Sequence, residues 1–322
     1  MNYDLDEDQE ALVSGLQVVL RPYRDISNAH RRSSSYFPEE LQRVLRESGF
    51  LEVIAQGLSP LEAGLVVLEI ARSPCAVEAG ASALVWPAVL ADAPEGPVAL
   101  VDGDLSKATR FLSVARHALI EIGDDLVVVD IGPGDVIPVD TILAYPFGRF
   151  ADPTIVSRGR SLGAEKLAIA RRWKRIALAL EFAGATESAV AFTVDYVKQR
   201  HVFGRPVGSF QAVQHRLAQC HQIARGILYT ALFAAWKGDD LSADIAANYA
   251  QRYTGKLAFD LHQFNGGLGV TNEHLLHFWT HRLRALQAEA GGTDAAALAI
   301  ADHLWPATPG FNSGERSPRA TH

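Results

Sequence analysis

Three segments of this 322-residue chain carry residue types whose spacing suits a grip on a phosphorylated ligand. They are Arg200-His-Val-Phe203-Gly204, Phe210-Gln211-Ala-Val-Gln214 and Gln263-Phe-Asn-Gly266-Gly267-Leu-Gly269. Arginine offers a planar fork that pairs with phosphate oxygens. Glycines at 266 and 267 remove side chains, so backbone groups can approach a ligand closely. Gln263 supplies a donor and an acceptor beside them. Phe203 can cover an apolar ligand face, and Gly204 lets the chain turn away. Each part alone has a plainer role. An arginine after a helix caps its dipole, and paired glycines make a turn. The glycines follow a helix and not a strand, which disfavours a Rossmann-type dinucleotide fold.

Composition narrows the classes of protein that could carry such a grip. With 48% hydrophobic and 21% charged residues, the chain reads as a well-packed globular protein long enough for two or three domains. A net charge of -7 and a pI near 5.9 argue against nucleic acid or an anionic membrane as partner. Cys75 and Cys220 lie far apart without CxxC spacing, which excludes a disulfide framework or structural zinc site and fits a reducing compartment. The acidic stretch Met1 to Glu10 has no apolar signal core, and no uninterrupted apolar run reaches about 18–20 residues. No membrane span is expected, and the location that fits is cytoplasmic.

The elements that would position the three segments are mostly helical. Leu12, Leu16, Val19 and Leu20 recur at helical spacing behind Asp6-Glu7-Asp8. Phe37-Pro-Glu-Glu40 starts a second helix that Gly49 stops; further helices are expected over Leu61–Ala71 and Ala76–Leu90. At Ala93-Pro-Glu-Gly-Pro97 the character changes. Ala118 to Ile122 and Leu126 to Asp130 flank a Gly123-Asp-Asp turn, a strand–turn–strand signature. From Gly163 long helices return, one ending near Arg200, another with a bundle seam through Val213, Leu217, Cys220, Ala224, Ile227 and Ala231. A third covers Ser242 to Leu261, a fourth runs from about Asn272 to Glu289 and a fifth from about Thr293 to Leu304. The expected organisation is a helical domain over 1–94, a small β domain over 95–158, a helical bundle over 159–305 and a disordered tail over 306–322. The fold class is mostly α with a small β domain.

This order of elements and the three motifs resemble the acyl-CoA dehydrogenase family over almost the whole chain, as does the opening Tyr3-Asp-Leu-Asp-Glu-Asp-Gln-Glu10. The resemblance implies an N-terminal helical domain, a reduced middle β domain and a C-terminal four-helix bundle. It implies FAD as cofactor, with Arg200, Phe203, Gln263, Gly266 and Gly267 touching a flavin whose ring belongs to a neighbouring subunit. Gln211 and Gln214 would serve the dimer interface or the cofactor's edge. The family's base removes the α-proton of an acyl thioester while the flavin takes a hydride from the β-carbon. That base is typically a glutamate in a Tyr-Glu-Gly-Thr segment some twenty residues after the glycines. Here the stretch reads Ala288-Glu289-Ala290-Gly291-Gly292-Thr293, which leaves Gly291 or Ala290 at the base position. Glu289 is one or two positions off, a rotation of roughly 100–200° on a helix, and reads as a solvated surface charge. A minority of the family takes its base from the helix before the Arg-Phe-Gly motif; the corresponding residue here is Lys174. Glu181 and Glu187 lie on that helix as weak alternatives. Neither the family's Thr-Glu segment nor its Trp-Ile-Thr segment is found between 95 and 160.

His274, His277 and His281 fall on nearly one helical face, a spacing that suggests a metal, but no carboxylate partner supports one and interface hydrogen bonding is the better reading. What the resemblance implies as a whole is a flavin-site subunit of a heteromeric, α2β2 acyl-CoA dehydrogenase, similar to those acting on CoA-activated steroid side chains. A longer, glutamate-bearing homologue would supply the base and most of the acyl pocket, and this chain alone would be inactive. Two alternatives stay open: a self-sufficient homo-oligomer using Glu289 or Glu181, and a flavin-free assembly scaffold.

Overall fold

The computed structural model describes residues 3–31 and 36–305; the tail expected over 306–322 lies outside them. Helix α1 (Glu7–Leu20) opens with a capping box: Asp6 accepts the Gln9 amide while the Gln9 side chain returns to the Asp6 amide. After α2 (Asn28–Arg31), helix α3 (Glu39–Glu47) is followed by Gly49 at φ +78°, the stop anticipated there. Helix α4 (Pro60–Arg72) has a second capping box, Ser59 with Glu62, and Pro60 in its first turn. The helix expected over Ala76–Leu90 is much shorter. It begins with a π turn over Ala81–Val85 and continues as α5 (Trp86–Val89). Two features explain this. The buried Glu78 carboxylate accepts the amides of Ala81, Ser82 and Val98, which ties the preceding segment to the first strand. Pro87 in the first turn of α5 has no amide to donate, and the adjoining turn widens so that Trp86 N–H bonds Ala81 O.

Two small sheets follow. One has the order β1 (Val98–Val101), β3 (His117–Ile122), β4 (Asp125–Asp130), β7 (Arg160–Ser161), with β1 and β3 parallel and the other pairs antiparallel. The second has the order β2 (Thr109–Arg110), β6 (Phe147–Phe150), β5 (Val136–Val139). The β3–β4 register pairs Ile122 with Asp125, so the turn is Gly123-Asp124, with Gly123 at φ +57°. Alternation is strict and both faces are used. Ala99, Val101, Ala118, Ile120, Val127 and Val129 face Phe150 of the second sheet; Val98, Leu119 and Leu126 face Trp86 and Leu167.

The bundle is built on α6 (Gly163–Gln199), a 37-residue helix packed by α4, α7 (Gln211–Lys237), α8 (Asp240–Asn265) and α9 (Leu276–Glu289). Every residue of α6 from Ile176 to Thr186 is buried. Its length and hydropathy would suffice to cross a bilayer, yet 78% of the apolar window is covered by the bundle, as in a core helix. Gly184 is where α4 crosses, since a Cβ there would lie 2.4 Å from Leu68 O. The helix expected from Asn272 starts at Leu276, because Gly266–Val270 closes a 3₁₀ turn and His274 N–H turns back to Thr271 O. Helix α10 (Thr293–Leu304) lies against α8.

One buried side chain joins the two helical parts. Arg282 on α9 is 3% exposed and donates to Ala71 O, Ser73 O and Cys75 O at the end of α4, and to Phe278 O on its own helix. It satisfies carbonyls that the end of α4 leaves open and places a cation on that dipole. Replacing Arg282 with Ala leaves several buried carbonyls without donors. The expected loss is at least ~3 kcal/mol. It should show as a lower urea midpoint with unchanged slope.

Candidate functional site

The three segments singled out in the sequence meet at one end of the bundle. The side chain of Asn265, last residue of α8, donates to Thr193 Oγ1 on α6 at 2.9 Å, which draws the glycine turn toward the end of α6. Arg200 is the C-cap of α6, its amide bonded to Tyr196 O and its carbonyl to Val207 N–H. Its guanidinium is exposed and has no carboxylate partner among the described residues. Strands β8 (His201–Val202) and β9 (Arg205–Pro206) then form a hairpin whose two-residue turn is Phe203-Gly204, at φ +54° and +79°. Two positive φ values make the primed turn that such hairpins favour, a turn that normally takes Asn or Gly at its first position. A phenylalanine there costs about 1–2 kcal/mol of backbone strain. Its ring is 92% exposed, so no packing within the chain repays that strain.

Gln263 is exposed two residues before the end of α8, and Gly266 caps that helix at φ 57°, ψ -145°. A Cβ at Gly266 or Gly267 would meet nothing within 4 Å, so both face open space. Phe259, Leu268 and Val270 add exposed apolar surface on the same elements. Gln214 donates to Gly208 O at 2.9 Å and holds the turn before α7, while Gln211 is exposed. Arg200, Phe203, Gln263, Gly266 and Gly267 thus lie at the same end of the bundle, and Gln214 has a role inside its own loop.

The weak base candidates lie elsewhere, and one of them corrects the sequence reading. Glu289 is not a solvated surface charge. Its side chain keeps 15% exposure and bonds Arg110 Nε at 2.8 Å. The same Arg110 meets Glu181 through both terminal nitrogens, at 2.5 and 3.3 Å, and Tyr145 Oη donates to Glu181 at 3.3 Å. The guanidinium lies 5.0 Å from the Phe111 ring and 4.8 Å from the Tyr145 ring. Helical rotation alone would have turned Glu289 outward, but Arg110 on β2 stands over the last turn of α9 and the charge pairing wins. Lys174, at the minority base position, lines the same small pocket, its Nζ 2.6 Å from Asp102. Glu187 is held by Arg72 and Arg225 at 2.5 and 2.9 Å.

The pocket bounded by Glu78, Lys174, Ala177, Glu181, Glu289 and Arg110 retains only about 10 Å³. That is the space of a single water centre, far below a ligand cavity. Gly80 completes the closure, since a Cβ there would sit 2.8 Å from Glu181 Oε1. Burial pushes the Glu289 carboxyl up, but the charge and hydrogen bond of Arg110 outweigh it and hold the group below its ordinary value. A carboxylate so held is a weak proton acceptor and has no room for a substrate beside it. Nothing in the sequence pointed to Arg110 or Tyr145. Their partners lie 71 and 36 residues away, and a single Arg-Phe pair in a short strand carries no signal.

The histidines are engaged in contacts within the chain itself. His277 Nδ1 lies 2.6 Å from His274 O, and the His274 ring packs edge-on against Phe192 and Tyr196. Burial, with His277 and His262 nearby, pushes His281 down to about 4. Among the described residues, no group of three or more His, Cys, Asp or Glu side chains is arranged to hold a metal.

A helical domain, a two-sheet middle layer and a bundle carrying these motifs at one end constitute an acyl-CoA dehydrogenase fold. Residues 170–305 match the family model described as Acyl-CoA dehydrogenase, C-terminal domain. Among curated proteins it is similar to Acyl-CoA dehydrogenase IpdE2 of Mycobacterium tuberculosis, 37% identical over 110 residues, 33% of this chain and 34% of that protein. The chain thus spans about a third of the length of that curated relative. Among solved structures, a chain of the ChsE4-ChsE5 complex from Mycobacterium tuberculosis superposes with a TM-score of 0.82 at 20% identity, covering 96% of this chain and 100% of that one. The Tcur3481-Tcur3483 steroid ACAD G363A variant gives 0.77 at 24% identity over 92% and 98%. These likenesses are of fold.

The buried cluster yields a cycle of variants. Arg110→Met leaves two carboxylates facing each other without a cation and should cost about 3–5 kcal/mol. Adding Glu181→Gln and Glu289→Gln should recover most of the loss in urea unfolding. The pH dependence has a definite sign. Glu289 is lowered in the fold, so its stabilisation is present above its ordinary value of 4.5 and is lost as pH falls through the lower folded value. The stability difference between the parent chain and Glu289→Gln should therefore be largest near neutrality and shrink below pH 4.5.

Proposed function

We propose that this chain is the FAD-site subunit of a heteromeric acyl-CoA dehydrogenase whose catalytic base comes from a longer partner subunit. The observation that carries the reading is the closed pocket. On the resemblance, Gly291 or Ala290 and Lys174 would fall at the family's base positions, and the pocket that Lys174 lines is filled by Arg110 clamped to Glu181 and Glu289. The chemistry of the opposite end fits the cofactor. An arginine without a carboxylate partner among the described residues, a side-chain amide and two glycines that leave open space for close approach suit a pyrophosphate. Arg200 would pair with phosphate oxygens, Gln263 would hydrogen-bond beside them and Phe203 would cover an apolar face. When bound, FAD supplies the hydride acceptor for α,β-desaturation of an acyl-CoA thioester. This chain's residues would bind and orient it, while Arg110 and its carboxylates leave no room for substrate in the pocket they line.

The ChsE4-ChsE5 structure is described as a complex, and the Tcur3481-Tcur3483 protein as a steroid ACAD. Likeness to them supports a heterotetramer, a bulky steroid-type acyl group and, with the acidic composition, a cytoplasmic location. Convergence of Glu181 and Glu289 on one pocket keeps a self-sufficient enzyme as the second reading.

The purified chain alone should show no acyl-CoA oxidation, and co-expression with a glutamate-bearing homologue should give a stable complex with one flavin per pair. Robust turnover by the chain alone would refute the proposal. In the assembled complex, Arg200→Ala should lower FAD affinity by about tenfold, the value of charge-assisted hydrogen bonds to phosphate. Glu289→Gln and Glu181→Gln should leave turnover within a few fold. A loss beyond about a hundredfold in either, with flavin retained, would move the base into this chain.

A further inference from the structure

His262 is the residue before Gln263, and its two ends meet the two ends of the glycine turn. Its carbonyl accepts the Gly266 amide where α8 stops. Its ring Nδ1 lies 3.0 Å from Gly269 O, where the turn closes. The other ring nitrogen lies 3.1 Å from Thr280 Oγ1 on α9, a fully buried hydroxyl. One imidazole thus links α8, the turn and α9. Between the two anchor points, Gly266, Gly267 and Leu268 are exposed, with Thr271 Oγ1 donating to Leu268 O at 2.9 Å, whereas Gly269 is buried against Asn265.

The proton assignment follows from the partners. A carbonyl only accepts, so Nδ1 carries the proton and donates to Gly269 O. The Nε2 of the neutral ring then accepts from Thr280, whose hydroxyl can otherwise reach Leu276 O at 3.2 Å. Burial keeps the imidazole below its usual range, with Arg284 adding to that and the Gly269 carbonyl opposing it. Neutral His262 therefore satisfies both contacts with a single tautomer. No other side chain among the described residues donates a hydrogen bond to the Gly269 carbonyl.

We propose that His262 is a positioning residue for the cofactor grip: clamping both ends of the Gly266–Gly269 turn, it sets the path of the backbone that meets the cofactor's phosphates. The inference rests on the FAD-site reading and deepens it. His262 touches no cofactor itself and acts through the glycines beside Gln263. Losing the clamp leaves the bundle intact and lets the turn wander, so its effect is on ligand affinity and local opening rather than on global stability.

Two measurements test it, one of them independent of flavin. In the full chain, hydrogen exchange at the amides of 266–271 should speed by about fivefold in His262→Ala, the consequence of losing one neutral hydrogen bond. In the complex stripped of flavin, titration with FAD should show a similar, about fivefold weaker affinity. His262→Gln, which keeps a donor able to reach Gly269 O, should restore both readouts to within about twofold. Should His262→Ala fail to assemble, Thr280→Val removes the ring's second partner at equal volume, and the same amides should still exchange faster. Unchanged exchange in these variants, or a loss in His262→Gln equal to that in His262→Ala, overturns the proposal. If FAD affinity falls in Arg200→Ala but not in His262→Ala, the positioning role is wrong and the FAD-site reading stands. If neither variant weakens FAD, both are wrong.

Discussion

Burial of α6 on every side is the constraint on which the rest of the structure depends. A helix whose central residues from Ile176 to Thr186 are all covered leaves no solvated face for Glu181, so that carboxylate must find a cation inside the protein. Arg110 is that cation, and it reaches α6 only because the small β layer lies against the bundle there. The same rod carries Lys174 near its start and Arg200 at its end. From Glu181 to Arg200 the rise is roughly 28 Å at 1.5 Å per residue. A closed pocket and an open grip therefore sit on one rigid element, too far apart to form a single site. Ordering one does not require ordering the other.

The two ends differ in how they balance polar groups. At the pocket, each charge has a partner and almost no free volume remains, a dry, self-satisfied cluster whose Arg110 lies between two aromatic rings. At the opposite end, an arginine has no acid beside it among the described residues, a phenylalanine is held at positive φ in water, and two glycines line empty space. Interiors that satisfy themselves contribute to stability, and surfaces that leave donors and an apolar ring unsatisfied are suited to a ligand or partner. That contrast separates what the chain has closed from what it has kept open.

What could be read from the sequence follows the range of the interactions involved. The grip was legible because each of its residues belongs to a short motif at a helix end, where cap and turn chemistry is local. The strand pair β3–β4 was legible for the same reason: a Gly-Asp turn between β-branched runs fixes its own register. Glu289 was misread because helical rotation is a local rule, and a charge 179 residues away overrode it. Arg282 and Arg110 gave no sign at all, since a buried arginine is defined by carbonyls and carboxylates contributed from distant elements. The helix at Ala76 was overcalled because its apolar run hid the effect of Glu78, whose carboxylate replaces the first turn's backbone bonds with ties to β1.

A pocket closed by ion pairs, rather than by a larger apolar side chain, has a consequence for how readily the space can be opened. Filling the space with Leu or Phe would leave Glu181 buried without a cation, its charge met only by the Tyr145 hydroxyl, which costs more than the filling gains. Arginine both fills the volume and neutralises the carboxylate, and its planar fork can serve two acids at once. Because its charge and its volume act together, no single substitution reopens the pocket cheaply: removing Arg110 frees space but strands two carboxylates, and removing either acid leaves the cation underpaired. Return to a substrate-binding pocket would need coordinated change on β2, α6 and α9. The ion-pair cluster is therefore a more durable closure than bulk alone, and the open surface of this chain lies at the far end of α6, around Phe203, Gly266 and Gly267.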